Sequence, residues 1–257
     1  MGFQIEKMSF SYGDNKVIDN ISLHLEPGRF YGIIGPNGCG KSTFLDLLSN
    51  QSQPAAGSLF FMEKDLAKYS KKALSRLIAL VPQNFYINFS FTAREIVLMG
   101  RYPHIPRFSA PALHDMEIVD DVMQKTETSQ FKNRFITELS GGERQRVVFA
   151  RALAQETDVL ILDEATSNFD VNHSIRMLNL AALGVEKNGK TVITVLQDIN
   201  LAAIFCEYLI FIKNGRIAAY GKTSEVLNEN TIKSVFNVDA KVYHDSYSNS
   251  KQVVFRR

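Results

Sequence analysis

Alternating short apolar runs and helix-length segments predict an α/β fold with buried parallel strands, carrying an inserted helical region. Phe30 to Ile34, Val159 to Leu162 and Thr191 to Leu196 are compact apolar runs, short enough for strands buried on both faces. Each gives way to a glycine-rich or polar turn and then to a helix-like segment. Between Asn84 and Gln155 that rhythm stops, no buried strand is evident, and Ala93 to Met99 and Ala112 to Lys125 have helical length. The length of 257 residues suits one large domain with an insert better than several independent domains. The chain therefore divides into an α/β core of residues 1–83 and 156–257 and a helical insert of residues 84–155. Val81-Pro82-Gln83 and Glu156-Thr157-Asp158 mark its edges, and mixed helix and strand return after Gly221.

Composition excludes several classes. With 45% hydrophobic and 22% charged residues, the chain is neither disordered nor collagen-like, and it can bury a core without cross-links. A net charge of +2 is too small for phosphate-backbone attraction to dominate, so nucleic acid is not an expected partner. Cys39 and Cys206 have neither metal-ligand nor disulfide-framework spacing, which fits a reducing compartment. The stretch MGFQIEKMSFSYGDN lacks the apolar run of a signal peptide, and no window of 18 apolar residues occurs, so a cytosolic chain without a membrane span is expected.

Gly35-Pro36-Asn37-Gly38-Cys39-Gly40-Lys41-Ser42-Thr43 satisfies GxxxxGK[ST] and lies between the Phe30 strand and a helix-like segment from Lys41 to Ser49. Glycines there let backbone N–H groups turn inward on phosphates, and the helix start adds partial positive charge. Lys41 can reach the β and γ oxygens of a nucleotide, and Ser42 can offer its hydroxyl to Mg²⁺. A second strand end, Val159-Leu160-Ile161-Leu162-Asp163-Glu164, delivers two adjacent carboxylates from an apolar run. Asp163 suits Mg²⁺ through a water, and Glu164 can orient or deprotonate an attacking water. Apolar runs ending in acids are common on their own; beside a phosphate loop the pair points to nucleotide hydrolysis.

Leu139-Ser140-Gly141-Gly142-Glu143-Arg144-Gln145 has the S-x-x-E spacing of a capping box at a helix start. Capping accounts for Ser140 and Glu143 but not for Gly141 and Gly142, each of which costs a helix about 1 kcal/mol. Exposed amides at this start make a second phosphate-binding helix end the sharper reading.

The phosphate loop, Gln83, LSGGERQR, VLILDE and the Thr166 to Asp170 segment occur in the order found in the ATP-binding cassette (ABC) ATPases, which the chain resembles over nearly its whole length. The resemblance implies a P-loop NTPase fold, with a RecA-like parallel-sheet core, an inserted α-helical subdomain and an N-terminal antiparallel β-subdomain. It implies ATP and Mg²⁺ as ligands and a head-to-tail homodimer, in which Ser140, Gly141 and Gly142 of one copy close over ATP held by Asn37 to Thr43 of the other. Tyr12 resembles the aromatic that stacks on adenine, with Val17 beside the ribose; as a bare residue Tyr12 is also compatible with a packed strand tyrosine. Gln83 resembles the glutamine that touches Mg²⁺ and links nucleotide state to the insert. Ser167-Asn168-Phe169-Asp170 resembles the loop that crosses the dimer interface.

Phe91 to His104, Thr194 to Leu201 and Phe236 to Val242 are similar to the corresponding stretches of bacterial importers of ferric siderophores, haem and cobalamin. That resemblance implies a peripheral subunit on the cytoplasmic face of the membrane. Integral membrane permease subunits would dock on the helical insert, and an extracytoplasmic substrate-binding protein would act indirectly. A soluble ABC ATPase of a non-transport machine and a hydrolysis-impaired nucleotide switch remain alternatives, the second because of Gln197.

The family usually places a histidine against the γ-phosphate where this chain has Gln197, and proline where it has Ala165. The Gln197 amide can donate a hydrogen bond but cannot carry charge near a transferring phosphoryl group. Slower hydrolysis with ATP binding retained is expected, so the Gln197→His chain should release phosphate faster than the parent. Equal turnover would remove the argument.

Overall fold

The computed structural model describes residues 2–85, 89–166 and 169–256. In chain order the elements are β1 (Phe3–Tyr12), β2 (Asn15–Leu25), β3 (Phe30–Ile34), α1 (Lys41–Leu48), β4 (Ala56–Phe61), β5 (Lys64–Asp65), α2 (Lys71–Leu74), β6 (Ile78–Val81), α3 (Ala93–Leu98), α4 (Leu113–Lys125), α5 (Gly141–Ala154), β7 (Val159–Leu162), α6 (Val171–Asn188), β8 (Thr191–Val195), α7 (Ile199–Phe205), β9 (Tyr208–Lys213), β10 (Arg216–Lys222), α8 (Thr223–Val226), α9 (Glu229–Phe236), β11 (Ala240–Asp245) and β12 (Ser250–Phe255). They gather into two compact units, one of residues 1–69 and 182–257 and the other of Ser70–Ala181, with the division falling inside α6.

In the first unit, β3 lies between β8 and β9 and is parallel to both. Every residue of β3 and β8 is buried. The expected parallel arrangement therefore holds at its centre, with β8 one residue shorter than the Thr191–Leu196 run. β10 departs from it by pairing antiparallel with β9. The cause is local: Asn214-Gly215 joins β9 to β10, with φ of 50° and 73°, and two positive-φ residues match the twist of a tight hairpin. A separate antiparallel sheet, ordered β2-β1-β4-β5, forms the N-terminal β-subdomain.

The same unit ends in the antiparallel hairpin of β11 and β12. The Asn200 amide of α7 accepts from the Val253 N–H at 2.7 Å and donates to the Val253 carbonyl at 3.3 Å. The N–H of Val242, its cross-strand partner, donates to the Glu229 carboxylate at 3.3 Å.

The second unit pairs β6 parallel with β7 and contains the inserted helices. α3 starts at a capping box: the Thr92 hydroxyl accepts from the Glu95 N–H, and the Glu95 carboxylate accepts from the Thr92 N–H. α4 places Ile118, Val119, Val122 and Met123 on one face. These pack with Ala93, Ile96 and Val97 of α3 and Val147, Ala150 and Ala154 of α5 around a common core. Among the described residues no helix is long and apolar enough to cross a membrane.

Ile96 is fully buried in that core. Ile96→Ala is expected to cost about 2–5 kcal/mol through lost transfer energy and a residual cavity. Urea unfolding measures it, and a loss below about 1 kcal/mol would mean that the helices are not packed this tightly.

Candidate nucleotide site

The first unit builds the phosphate loop. β3 is wholly buried, so the chain first meets solvent-facing geometry in the turn that follows it. Gly40 adopts φ 103°, and a Cβ there would lie 2.9 Å from the Val17 carbonyl oxygen, so glycine is required both for the conformation and for the close approach. Gly40 caps α1 without a side-chain hydrogen bond. The first-turn amides of an α-helix have no intrahelical acceptor and favour an anion. The Cys39 N–H donates to the Pro36 carbonyl, and the Cys39 carbonyl accepts from the Gly215 N–H at 3.2 Å, bracing the loop on the β9–β10 turn. Burial pushes the Cys39 thiol above its usual range, so the residue serves through its backbone.

The buried Lys41 ammonium donates to the carbonyls of Gly35 at 2.9 Å and Pro36 at 3.0 Å. Asn37 and Gly38 are exposed at the loop tip, Ser42 is half-buried, and Thr43 is buried. Val17 is half-buried beside Gly40. Tyr12 is 54% exposed and meets Phe10 edge-on at 4.9 Å, an arrangement that suits stacking against a flat ring better than core packing. Gln197 follows β8 by two residues and is exposed, and Asp198 then caps α7 by accepting from the amides of Asn200 and Leu201.

The second unit gathers the carboxylates, the linking glutamine and the twin-glycine helix start. The Asp163 N–H donates to the Val81 carbonyl at 2.9 Å, extending the β6–β7 ladder to the base of the carboxylate pair. Asp163 and Glu164 are both buried. Glu164 has φ 44°, a left-handed conformation that costs a non-glycine residue roughly 1–2 kcal/mol. Such local strain is a feature of functional sites. Gln83 Nε2 donates to Glu164 Oε2 at 2.8 Å, which orients the carboxylate and leaves the Gln83 amide oxygen to accept or ligate.

Ser140 caps α5 in the expected box. Its hydroxyl oxygen accepts from the Glu143 N–H at 3.3 Å, and Glu143 accepts from the Ser140 N–H at 2.8 Å. The Ser140 O–H also faces the Glu143 carboxylate, so binding an anion requires it to turn from Glu143 to that anion. Gly141 is exposed and Gly142 half-exposed at the same helix start. Asp170 caps α6: its carboxylate accepts from the His173 N–H at 2.8 Å and pairs with the His173 ring at 2.9 Å, contacts that hold it below the usual aspartate range. Ser167 and Asn168 lie outside the described residues.

One residue in this unit escaped the sequence reading. Gln145 is buried and donates to the Pro82 carbonyl at 3.2 Å, tying α5 to the backbone next to Gln83. Its only advance signal was a polar side chain among the apolar positions of an amphipathic helix.

The donors proposed for Mg²⁺ are hard oxygens: the Asp163 carboxylate, the Ser42 hydroxyl and the Gln83 amide. Among the described residues no group of three or more His, Cys, Asp or Glu side chains could hold a metal ion. The Ser42, Asp163 and Gln83 side chains each offer the kind of oxygen that Mg²⁺ accepts beside phosphate and water oxygens.

The ABC transporter family model matches residues 18–167. The chain belongs to the ABC transporter family. The cobalamin import ATP-binding protein of Halobacterium salinarum is 38% identical over 242 residues, covering 94% of this chain and 60% of that protein. The chain thus spans about three fifths of the length of that relative. The ferric enterobactin transport ATP-binding protein of Escherichia coli is 35% identical over 249 residues, covering 97% of this chain and 92% of that protein. A solved ABC transporter assigned to the metal-chelate type, in an inward-facing conformation, superposes with a TM-score of 0.83 at 27% identity, covering 99% of this chain and 96% of that one.

The Ser140 N–H and hydroxyl hold the Glu143 carboxyl below its usual value of 4.5. A depressed folded pKa stabilises the fold fully above the unfolded value, and the contribution is lost as pH falls through the folded value. Glu143→Gln keeps the cap geometry without the charge. Its urea midpoint is therefore expected to fall less steeply than the parent's between about pH 5 and pH 3. Parallel acid losses in the two chains would exclude the cap as a source of pH dependence.

Proposed function

We propose that this chain is the ATP-binding and ATP-hydrolysing subunit of an importer for a metal chelate, a ferric siderophore, haem or cobalamin. In this reading it works as a head-to-tail homodimer on the cytoplasmic face of a membrane. Permease subunits dock on the insert of residues 84–155, and an extracytoplasmic substrate-binding protein acts through them. Residues 1–83 and 156–257 form the nucleotide-binding core. The observation that carries the reading is the 35–38% identity, over more than nine tenths of the chain, to a cobalamin import and a ferric enterobactin transport ATP-binding protein.

The roles follow from the chemistry of each group. Tyr12 stacks on adenine beside Val17, and Asn37 to Thr43 cradle the phosphates with first-turn amides and the Lys41 ammonium. A charged phosphate oxygen offers the Lys41 ammonium a stronger partner than the Gly35 and Pro36 carbonyls. Ser42, Asp163 and Gln83 would hold Mg²⁺, which supplies positive charge to the phosphate oxygens when bound. Glu164, aimed by Gln83, accepts a proton from or orients the attacking water, while Gln197 offers a neutral hydrogen bond to the γ-phosphate. Ser140, Gly141 and Gly142 of the partner copy donate to the same phosphate, and Asp170 lies in the loop facing that partner. Binding energy for ATP then favours the closed dimer, and hydrolysis removes that preference.

Gln197 also favours a second reading, in which the chain binds ATP and dimerises but scarcely hydrolyses it. Phosphate release from the complex reconstituted with its membrane subunits separates the two.

Three chains test the main proposal. Lys41→Ala is expected to lose most ATP binding. Glu164→Gln should keep it, lose about a hundredfold or more in turnover, and accumulate an ATP-dependent dimer on size-exclusion chromatography. The parent should co-purify with a helical membrane partner. Parent-like turnover in Glu164→Gln would overturn the assignment of the base, and a chain that never associates with membrane subunits would overturn the transport role.

A further inference from the structure

Arg101 is 4% exposed, and the nucleotide chemistry gives it no task. Its guanidinium collects the end of one helix, the start of another and the turn between a helix and a strand. Nε donates to Asp115 Oδ1 in the first turn of α4 at 3.0 Å. Nη1 donates to the carbonyl of Ala154, the last residue of α5, at 2.7 Å, and to Glu156 Oε2 at 2.8 Å. Beside it, a Cβ on Gly100 would lie 2.2 Å from the Arg151 carbonyl oxygen, so the backbone before Arg101 rests directly on α5. His104 Nε2 bonds the Gln155 carbonyl at 2.8 Å, and Gln155 Nε2 donates to the carbonyls of Ser75 and Ile78 at the approach to β6.

Two features argue that this cluster serves geometry more than stability. A buried ion pair gains little over well-packed apolar side chains, because desolvation offsets the attraction. The position after the α5 cap, where left-handed backbone usually calls for glycine, is instead Glu156 at φ 50°. The chain accepts strain there and thereby delivers a carboxylate to Arg101.

α5 is a 14-residue helix with the twin-glycine segment at its other end, so fixing its last carbonyl fixes the aim of its first turn about 20 Å away. Glu156 in turn leads within three residues into β7, which is followed directly by Asp163 and Glu164. We infer that Arg101 is a positioning residue: it sets α5 and β7 against one another from their far ends, and so controls how readily two ATP-loaded copies close. The inference rests on the proposed ATP-driven dimer.

The test uses full-length chains carrying Glu164→Gln, with and without Arg101→Met or Glu156→Gly. Three quantities are read: thermal midpoint, affinity of the single chain for a fluorescent ATP analogue, and the ATP-dependent dimer constant from analytical ultracentrifugation. Arg101→Met is expected to weaken the dimer by about tenfold and Glu156→Gly by about threefold, with analogue affinity unchanged. Glu156→Gly should also match or exceed its parent's thermal midpoint, since glycine relieves the left-handed strain. A merely structural role would move stability and dimerisation together. A stabilised Glu156→Gly chain that dimerises like its parent, with Arg101→Met also unchanged in dimer constant, overturns this inference alone. Absence of any ATP-dependent dimer in the Glu164→Gln parent overturns the dimer reading and this inference with it.

Discussion

Burial on both faces governs where chemistry can sit in this chain. β3, β7 and β8 expose no side chain anywhere along their length, so none can carry a charge until it ends. The phosphate loop begins one residue after β3, the carboxylate pair one residue after β7, and Gln197 two residues after β8. Strand length thus sets the position of each reactive group, and the turns need only choose its direction. Glycine does this after β3, whereas a strained non-glycine residue does it after β7, where a carboxylate is wanted at the turn itself.

The linking contacts in the second unit give that direction a second reference. Gln83 holds Glu164, and one residue earlier the Pro82 carbonyl holds Gln145 of the helix that starts at Ser140. A displacement of α5 along its axis therefore reaches the Glu164 carboxylate through two hydrogen bonds and one peptide unit. Ser140 adds economy of another kind: its oxygen finishes the helix, and its proton, shared with the Glu143 carboxylate, can turn to a ligand.

Groups whose partners lie close in sequence were legible in advance. The turn between β3 and α1, the Ser140–Glu143 box and the strand ends at Ile34 and Leu162 rest on spacing of a few residues, and the structure reproduces them. Asn214-Gly215 carries an equally local hairpin signal, and the antiparallel β10 follows from it. The Arg101 cluster could not be read from spacing, since its partners stand 14, 53 and 55 residues away and an arginine between glycine and tyrosine looks solvent-facing. Gln83 and Glu164 are 81 residues apart, so their hydrogen bond was invisible even though each residue had been singled out. Strain at Glu156 and Glu164 was hidden for a different reason: glutamate carries no preference for left-handed backbone, and only a distant partner explains its presence there.

The C-terminal hairpin bears on behaviour in a crowded setting. Its outward N–H and C=O groups at Val253 are taken by the Asn200 amide, and the outward N–H at Val242 is taken by Glu229. Those three groups are therefore not offered to a strange strand, the usual route by which exposed sheet borders polymerise. Edge-to-edge pairing of copies through this hairpin is thus hindered where those groups are taken.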